Sequence, residues 1–141
     1  NVRLGVLMAL VGGGGAGNIA GSNPSGTGTL NFIGDHAYAY SGPITDSASG
    51  AANTTVLKFD VPFNTYIIAK INWISSLSGN SARYIDIIQN GQSIYDGRYD
   101  DLPTINGEIT LLLEPGSNYV FKWGSSSNET VTLAVAGRAY Q

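Results

Sequence analysis

The residue types of a serine-hydrolase triad stand close together in one stretch of the chain, as Asp35, His36 and Ser41. Such chemistry needs an aspartate that orients the histidine ring while the histidine takes the serine proton. The segment HAYAY that begins at His36 alternates like a strand, and adjacent strand residues point to opposite faces. Asp35 therefore cannot easily orient His36, and no G-x-S-x-G elbow is present. We expect no catalytic residue here and predict that the chain is not an enzyme.

A second group of oxygen-bearing side chains comes later in the chain: Asp96, Asp100, Asp101, Asn106 and Glu108. Carboxylate and amide oxygens are ligands of Ca²⁺, but a calcium loop alternates them in a D-x-D-x-D-G pattern. That pattern is absent, and Arg98 stands inside the group. A solvated loop with local ion pairs is the simpler interpretation, so we predict no metal site.

Three glycines near the start, Gly12, Gly14 and Gly17, match the dinucleotide pattern G-x-G-x-x-G, with Asp35 about 20 residues further on. A dinucleotide site needs a helix that begins at the third glycine. The sequence that follows, NIAGSNPSGTG, contains residues that are unfavourable in any such helix. We therefore predict a tether here, and no cofactor.

The composition narrows the classes of protein further. The chain has 141 residues, 7 basic and 10 acidic, and a net charge of −3, which argues against a nucleic-acid partner. Only 12% of the residues are charged, against roughly a quarter in ordinary soluble domains. With no cysteine, disulfides, thiolate metal sites and a cysteine nucleophile are excluded. The apolar stretch Val2–Val11 is too short for a transmembrane helix, which needs about 20 apolar residues.

The secondary-structure elements that would position the candidate residues named above are all predicted to be strands. Period-two segments run over 29–33, 36–40, 54–61, 65–75, 83–89, 92–99, 107–113, 118–124 and 130–140, and the residues from Ser41 to Asn53 read as a loop. Asn90-Gly91 between two such runs predicts a two-residue hairpin turn. The inward positions should include Leu57, Phe59, Ile67, Ile71, Trp73, Ile85, Ile87, Leu111, Leu113, Phe121, Leu133 and Val135.

With 29–40 counted as one bent strand, this spacing predicts an all-β fold, an antiparallel two-sheet sandwich of about eight strands. Its long connections favour a jelly roll over an up-and-down barrel, with an immunoglobulin-like sandwich as the alternative. We divide the chain into a Gly-rich extended N-terminal arm, residues 1–28, and the sandwich domain, residues 29–141.

The tyrosines supply the candidate contact residues of the domain. Tyr38, Tyr40, Tyr95 and Tyr99 stand at strand edges or near loops, where they would stack on a sugar ring or pack at a subunit interface. The sequence does not choose between these two roles.

Residues 53–140 resemble the small jelly-roll proteins of viral and phage capsids. The resemblance lies in TTVLKFDVPFNTYIIAKINWIS, RYIDIIQNGQSIYDG, ITLLLEPGSNYVFKWGSSS and VTLAVAGRAY, whose last strand closes on Gly137-Arg138-Ala139-Tyr140. It implies a decoration, penton or head-fibre protein of a virion, assembled as a trimer or pentamer, with an arm that grips neighbouring capsid proteins. We take the trimer as the favoured homo-oligomer and the virion as the location.

Two other functions fit the same sequence. One is a carbohydrate-binding or receptor-binding β-sandwich module with a glycan ligand. The other is an extracellular or cell-surface filament subunit assembled by strand donation.

The arm is the predicted contact between subunits. Both faces of an extended Val2–Val11 are largely apolar, and such a strand is stable only when both sides are covered. The Gly-rich linker Gly12–Gly28, 17 residues long, would span roughly 20–25 Å as a coil. We therefore expect the arm to dock on another chain, and a terminal strand that completes its own sheet is the alternative. The expected contact residues are Val2, Leu4, Val6, Leu7, Met8, Leu10 and Val11.

Overall fold

The computed structural model describes residues 29–46 and 50–141, with the side chains of 76–81 and 100–106 left aside. Its regular elements are seven strands: β1 (Asn31–Ile33), β2 (His36–Thr45), β3 (Thr54–Asp60), β4 (Tyr66–Gln89), β5 (Gln92–Leu113), β6 (Asn118–Ser125) and β7 (Thr130–Tyr140). Over these ranges no helix is long and apolar enough to span a membrane.

Two long strands, β4 and β5, divide the molecule into two sheets. The first half of β4 pairs with β7 and with the second half of β5, and the second half of β4 pairs with β6 and with the first half of β5. The result is a five-stranded sheet in the order β1-β2-β7-β4-β5 and a four-stranded sheet in the order β3-β6-β4-β5. This confirms the predicted antiparallel jelly-roll sandwich, in which the seven continuous strands supply nine strand segments.

The core lies between the two sheets and follows the predicted alternation. Along β4, Ile67, Ala69, Ile71 and Trp73 are buried, whereas the residues between them face solvent. Of the twelve predicted inward residues, all but Leu111 are buried. Leu111 packs against the core but stays half-buried, because it lies on β5, which among the described residues has a neighbouring strand on one side only.

The predicted hairpin turn is confirmed. Gln89 pairs with Gln92, so the loop consists of Asn90 and Gly91, with φ values of 49° and 84°. Both residues therefore occupy the left-handed region, as a type I′ turn requires.

The loop predicted from Ser41 onward is wrong for its first five residues, which continue β2. The register slips between Tyr40 and Pro43, where one extra residue is accommodated as a bulge. The buried hydroxyl of Ser41 accepts a hydrogen bond from the backbone N–H of Leu133 at 2.9 Å, and Gly42 takes a φ of 65°. The bulge directly precedes Pro43, which has no N–H to donate. From Pro43 to Thr45 the strand pairs with β7 again.

The first described residues, Thr29 and Leu30, lie at one edge of the sandwich. Thr29 forms a parallel bridge with Asp60, the last residue of β3, and the backbone N–H of Leu30 donates to the Asp60 carbonyl at 3.2 Å. This joins the β1 edge of the five-stranded sheet to the β3 edge of the other sheet. The N-terminal arm lies outside the described residues, so its contacts and the boundary at residue 28 stay predictions.

Candidate binding surface

The three triad residue types occupy different environments. Asp35 lies in an exposed turn, and His36 is exposed and stands across from Arg138 in the register of β2 and β7. Ser41 is fully buried, and its hydroxyl donates to the Gly42 carbonyl at 2.6 Å while it accepts from Leu133. Ser41 thus stabilises the bulge, and the structure does not bring the three side chains together.

The acidic residues are likewise spread along β5, so the solvated loop predicted for them is wrong: positions 96–108 belong to a continuous strand. Asp96 stands across from Asp86, whose carboxylate accepts a hydrogen bond from Ser93 at 2.5 Å. Glu108, on the other half of the strand, lies 3.3 Å from the Lys70 ammonium. The side chains of Asp100, Asp101 and Asn106 are outside the described set. Within that set, no group of three acidic, histidine or cysteine side chains is placed to hold a metal ion.

Tyr95 and Tyr99 point into the sandwich at its β5 edge. Their ring centroids lie 6.3 and 6.4 Å from the Trp73 ring, which reaches across from the facing sheet. Both tyrosines pack against the core while remaining half-buried. Burial, followed by the hydrogen bond with Tyr95, raises the pKa of Tyr99 to about 12. These two tyrosines therefore cover Trp73 at the β5 edge, between the two sheets.

Glycine permits this edge packing. A Cβ on Gly107 would overlap Cε2 and Nε1 of Trp73, its partner in the β4–β5 register. The indole lies in the space that any larger residue at position 107 would fill. The aromatic edge therefore depends on a residue without a side chain.

Tyr38 and Tyr40, in contrast, lie on the outer face of the five-stranded sheet. Their rings are 5.5 Å apart and tilted by 35°. Tyr40 stands across from Ala134, and the neighbouring strands continue this row with Asn72 and Glu108. Because Ala134 is small, the surface sinks between Tyr40 and Asn72.

A shallow trough of about 370 Å³ lies on this face over β7, β4 and β5. Its lining combines polar Asn72, Glu108 and Thr132 with apolar Ile74 and Ala134. Its volume lies within the range of roughly 300–1,000 Å³ that is usual for ligand sites. Among the described residues, the trough is therefore a concave candidate site, and Tyr40 stands next to it, across from Ala134.

The same outer face carries an apolar patch at one end, formed by Tyr66, Ile68, Leu112 and Tyr140. Tyr66 pairs with Tyr140, and Ile68 pairs with Leu112, so the four side chains form two adjacent rows. Each is between 46% and 52% exposed. Arg138 stands beside Ile68, with its guanidinium 5.7 Å from the centre of the Tyr140 ring.

The sequence analysis did not single out this patch. Its signal was present in segment 65–75, where Tyr66, Ile68 and Ile74 fall on the face opposite to the core. A solvent-facing strand surface is normally polar, and Lys70 and Asn72 share this face, so the segment alone shows a mixed apolar and polar surface. The contributions of Leu112 and Tyr140 require the strand order, which periodicity alone does not give.

Comparisons with known proteins give similarity to solved structures only. No family model matches it, and no curated protein matches it in sequence. Among solved structures, the insecticidal delta-endotoxin Cry8Ea1 from Bacillus thuringiensis is similar at 10% identity and a TM-score of 0.42, over 71% of this chain and 20% of that one. A family 35 carbohydrate-binding module from Clostridium thermocellum is similar at 12% identity and a TM-score of 0.42, over 70% and 90%.

An exo-β-1,3-galactanase from Phanerochaete chrysosporium is similar at 15% identity and a TM-score of 0.41, over 77% of this chain and 30% of that one. The chain thus spans a small part of the endotoxin and of the galactanase. Likeness at this level carries no argument about function, which has to come from the surface itself.

Proposed function

We propose that the chain is a structural virion protein, a capsid decoration or minor capsid protein that stabilises a shell through contacts between subunits. The observation that carries the proposal is the apolar patch on the outer sheet face. Tyr66, Ile68, Leu112 and Tyr140 adjoin one another in register and are each about half exposed. A contiguous apolar surface on a sheet is typical of a face that another protein covers.

The low charge of the chain supports the same function. Only 17 of 141 residues are charged, which leaves the surface weakly protected against association. Two residues of the closing motif on which the capsid resemblance depends, Arg138 and Tyr140, belong to or border the patch. The proposed partners are therefore copies of this chain, in a trimer, and a neighbouring capsid protein.

Electron microscopy and light scattering of the purified full chain test this proposal together. We expect a closed symmetric oligomer, with a trimer favoured, that decorates a shell when the capsid protein is supplied. A chain that stays at 14.7 kDa at high concentration and binds no shell would contradict it.

A second candidate, carbohydrate binding, is favoured by one specific observation, the tyrosine pair beside the trough. Tyr38 and Tyr40 offer ring faces for a sugar, while Asn72 and Glu108 offer hydrogen-bonding groups nearby. A glycan array tests it with the full chain and Tyr40→Ala, using Tyr66→Ala as the matched control. Binding that Tyr40→Ala abolishes and Tyr66→Ala keeps would support a glycan function, and an array with no binding would argue against it.

A further inference from the structure

The strand β5 leaves one long edge of the molecule open. It is the last strand of both sheets and, within the described residues, pairs with β4 alone. Edge strands are usually protected by charge, proline or brevity, since their free N–H and C=O groups can pair with another strand. The segment Gly107–Leu113 has one charge, Glu108, and no proline. Its backbone is therefore available to a further strand.

Side chains on both faces of this segment are incompletely covered. Ile109 and Leu111 point toward the core but stay half-buried, although the next inward residue, Leu113, is fully buried. On the outer face, Leu112 is 52% exposed. A strand added beside Gly107–Leu113 would cover all three if it presented apolar side chains to both faces.

The chain contains one segment with this property outside the described residues, Val2–Val11. Its even-numbered residues, such as Leu4 and Val6, are all apolar, and Arg3 is its one charged residue. One register in each direction also places Arg3 beside an acidic residue. In a parallel strand with Leu4 beside Ile109, Arg3 stands beside Glu108. In an antiparallel strand with Val6 beside Leu111, Arg3 stands beside Glu114, the residue that follows β5. We take these two registers for the test below.

We propose that Val2–Val11 of a neighbouring copy adds as a strand to the β5 edge over Gly107–Leu113. This inference deepens the proposed function and rests on it, because it names the contact that links one subunit to the next. It assigns to β5 the role of acceptor and to the arm the role of donor.

The linker is long enough for the arm to reach a β5 edge. Thr29 lies at the β1 and β3 edge, and β5 is four strands away across the five-stranded sheet, about 19 Å at the usual strand spacing. The 17 residues Gly12–Gly28 have a mean coil span of roughly 20–25 Å, so they reach that distance on the same domain or on an adjoining copy. The proposed function, which requires contacts between subunits, selects the neighbouring copy.

Engineered disulfides test the proposal directly, because the native chain has no cysteine. Thr110 lies on the outer face in the middle of the acceptor segment. An outward arm residue, Leu7 in the antiparallel register or Gly5 in the parallel one, would lie beside it. Neighbouring strands satisfy the Cα separation of roughly 4.4–6.8 Å that a disulfide needs. Full-length chains carrying Thr110→Cys are co-expressed with differently tagged chains carrying Leu7→Cys or Gly5→Cys.

We expect a disulfide-linked heterodimer for one of the two arm positions. The control is Lys122→Cys in the centre of the four-stranded sheet, which should give no link. A chain that carries both cysteines and closes the disulfide within itself would overturn the proposal in favour of docking on its own domain. Linking no better than with Lys122→Cys would overturn it as well.

The oligomer mass separates this inference from the proposed function. If the full chain assembles but the arm never links to β5, the strand addition is wrong and the structural role stands. If the full chain is a monomer that binds no shell, the structural role itself fails.

Discussion

Arg83 and Glu129 form an ion pair in the interior of the sandwich, with Nε of Arg83 donating to Oε2 of Glu129 at 2.6 Å. Both side chains are fully buried. The Ser75 hydroxyl also donates to Oε2, at 2.8 Å, and the backbone N–H of Glu129 donates to Asp46 at 3.2 Å. The pair therefore ties the middle of β4 to the residues just before β7 and just after β2.

Arg83→Met should strongly destabilise the domain. Removal of one partner of a buried ion pair leaves the other charge uncompensated in a poorly polarisable interior, at a typical cost of about 3–5 kcal/mol. Urea denaturation of the variant measures this loss in the free energy of unfolding. The matched control is Lys70→Met, because Lys70 and Glu108 form an exposed pair at 3.3 Å, for which we expect about 0–1 kcal/mol. Equal losses in the two variants would contradict the buried pair.

Gly107→Ala should destabilise the aromatic edge. The added methyl would overlap the Trp73 indole and force it away from Tyr95 and Tyr99, and such overpacking costs about 1–3 kcal/mol. Gly97→Ala on the same strand is the control, since its Cβ would meet Ile85 at 3.2 Å and Tyr95 at 3.3 Å. Thermal unfolding followed by tryptophan fluorescence compares the two. A Gly107→Ala variant as stable as wild type would show that Trp73 does not lie over this glycine.

The partial burial of Tyr99 should make the domain sensitive to alkali. Its pKa rises from 10.0 to about 12 on folding, chiefly through burial. Between these values the unfolded chain has lost the proton that the folded chain keeps, so the free energy of unfolding falls as pH rises. Below pH 10 the contribution is fully present.

Tyr99→Phe should therefore flatten the decline in stability from about pH 10 to 12. Urea denaturation over this pH series measures the effect, and Tyr140→Phe is the control because Tyr140 is 46% exposed. A decline of the same slope in Tyr99→Phe and wild type would refute the assignment.

Much of the fold was predictable because the alternation of apolar and polar residues can be read within each strand separately. The alternation of 65–75 placed Ile67, Ile71 and Trp73 inward, and Asn90-Gly91 fixed the hairpin through its φ requirement. Leu111 fell short of full burial because burial at a sheet edge depends on which strand lies beside it. Periodicity within one segment does not contain that information.

The candidate site was predictable only in part, for the same reason. Tyr38 and Tyr40 face outward as a binding role requires, whereas Tyr95 and Tyr99 contact Trp73 across the sandwich. The apolar patch joins residues of three strands, and the Arg83–Glu129 pair joins residues 46 positions apart in sequence. Both depend on the jelly-roll strand order, which the local pattern leaves open.

The apolar patch, which we propose as an interface between subunits, is tested most directly by one substitution. Ile68→Lys puts a charge at the centre of the patch, next to Arg138 and Leu112. The loss of roughly 1.5–3 kcal/mol of apolar burial alone would weaken each contact by about tenfold or more. Asn72→Lys adds the same charge on the same strand and face, outside the patch.

Light scattering of the three full-length proteins at equal concentration is the decisive measurement. We predict that wild type and Asn72→Lys assemble, while Ile68→Lys shifts toward the 14.7 kDa monomer. Three proteins of the same mass, whether all monomeric or all assembled, would contradict the claim.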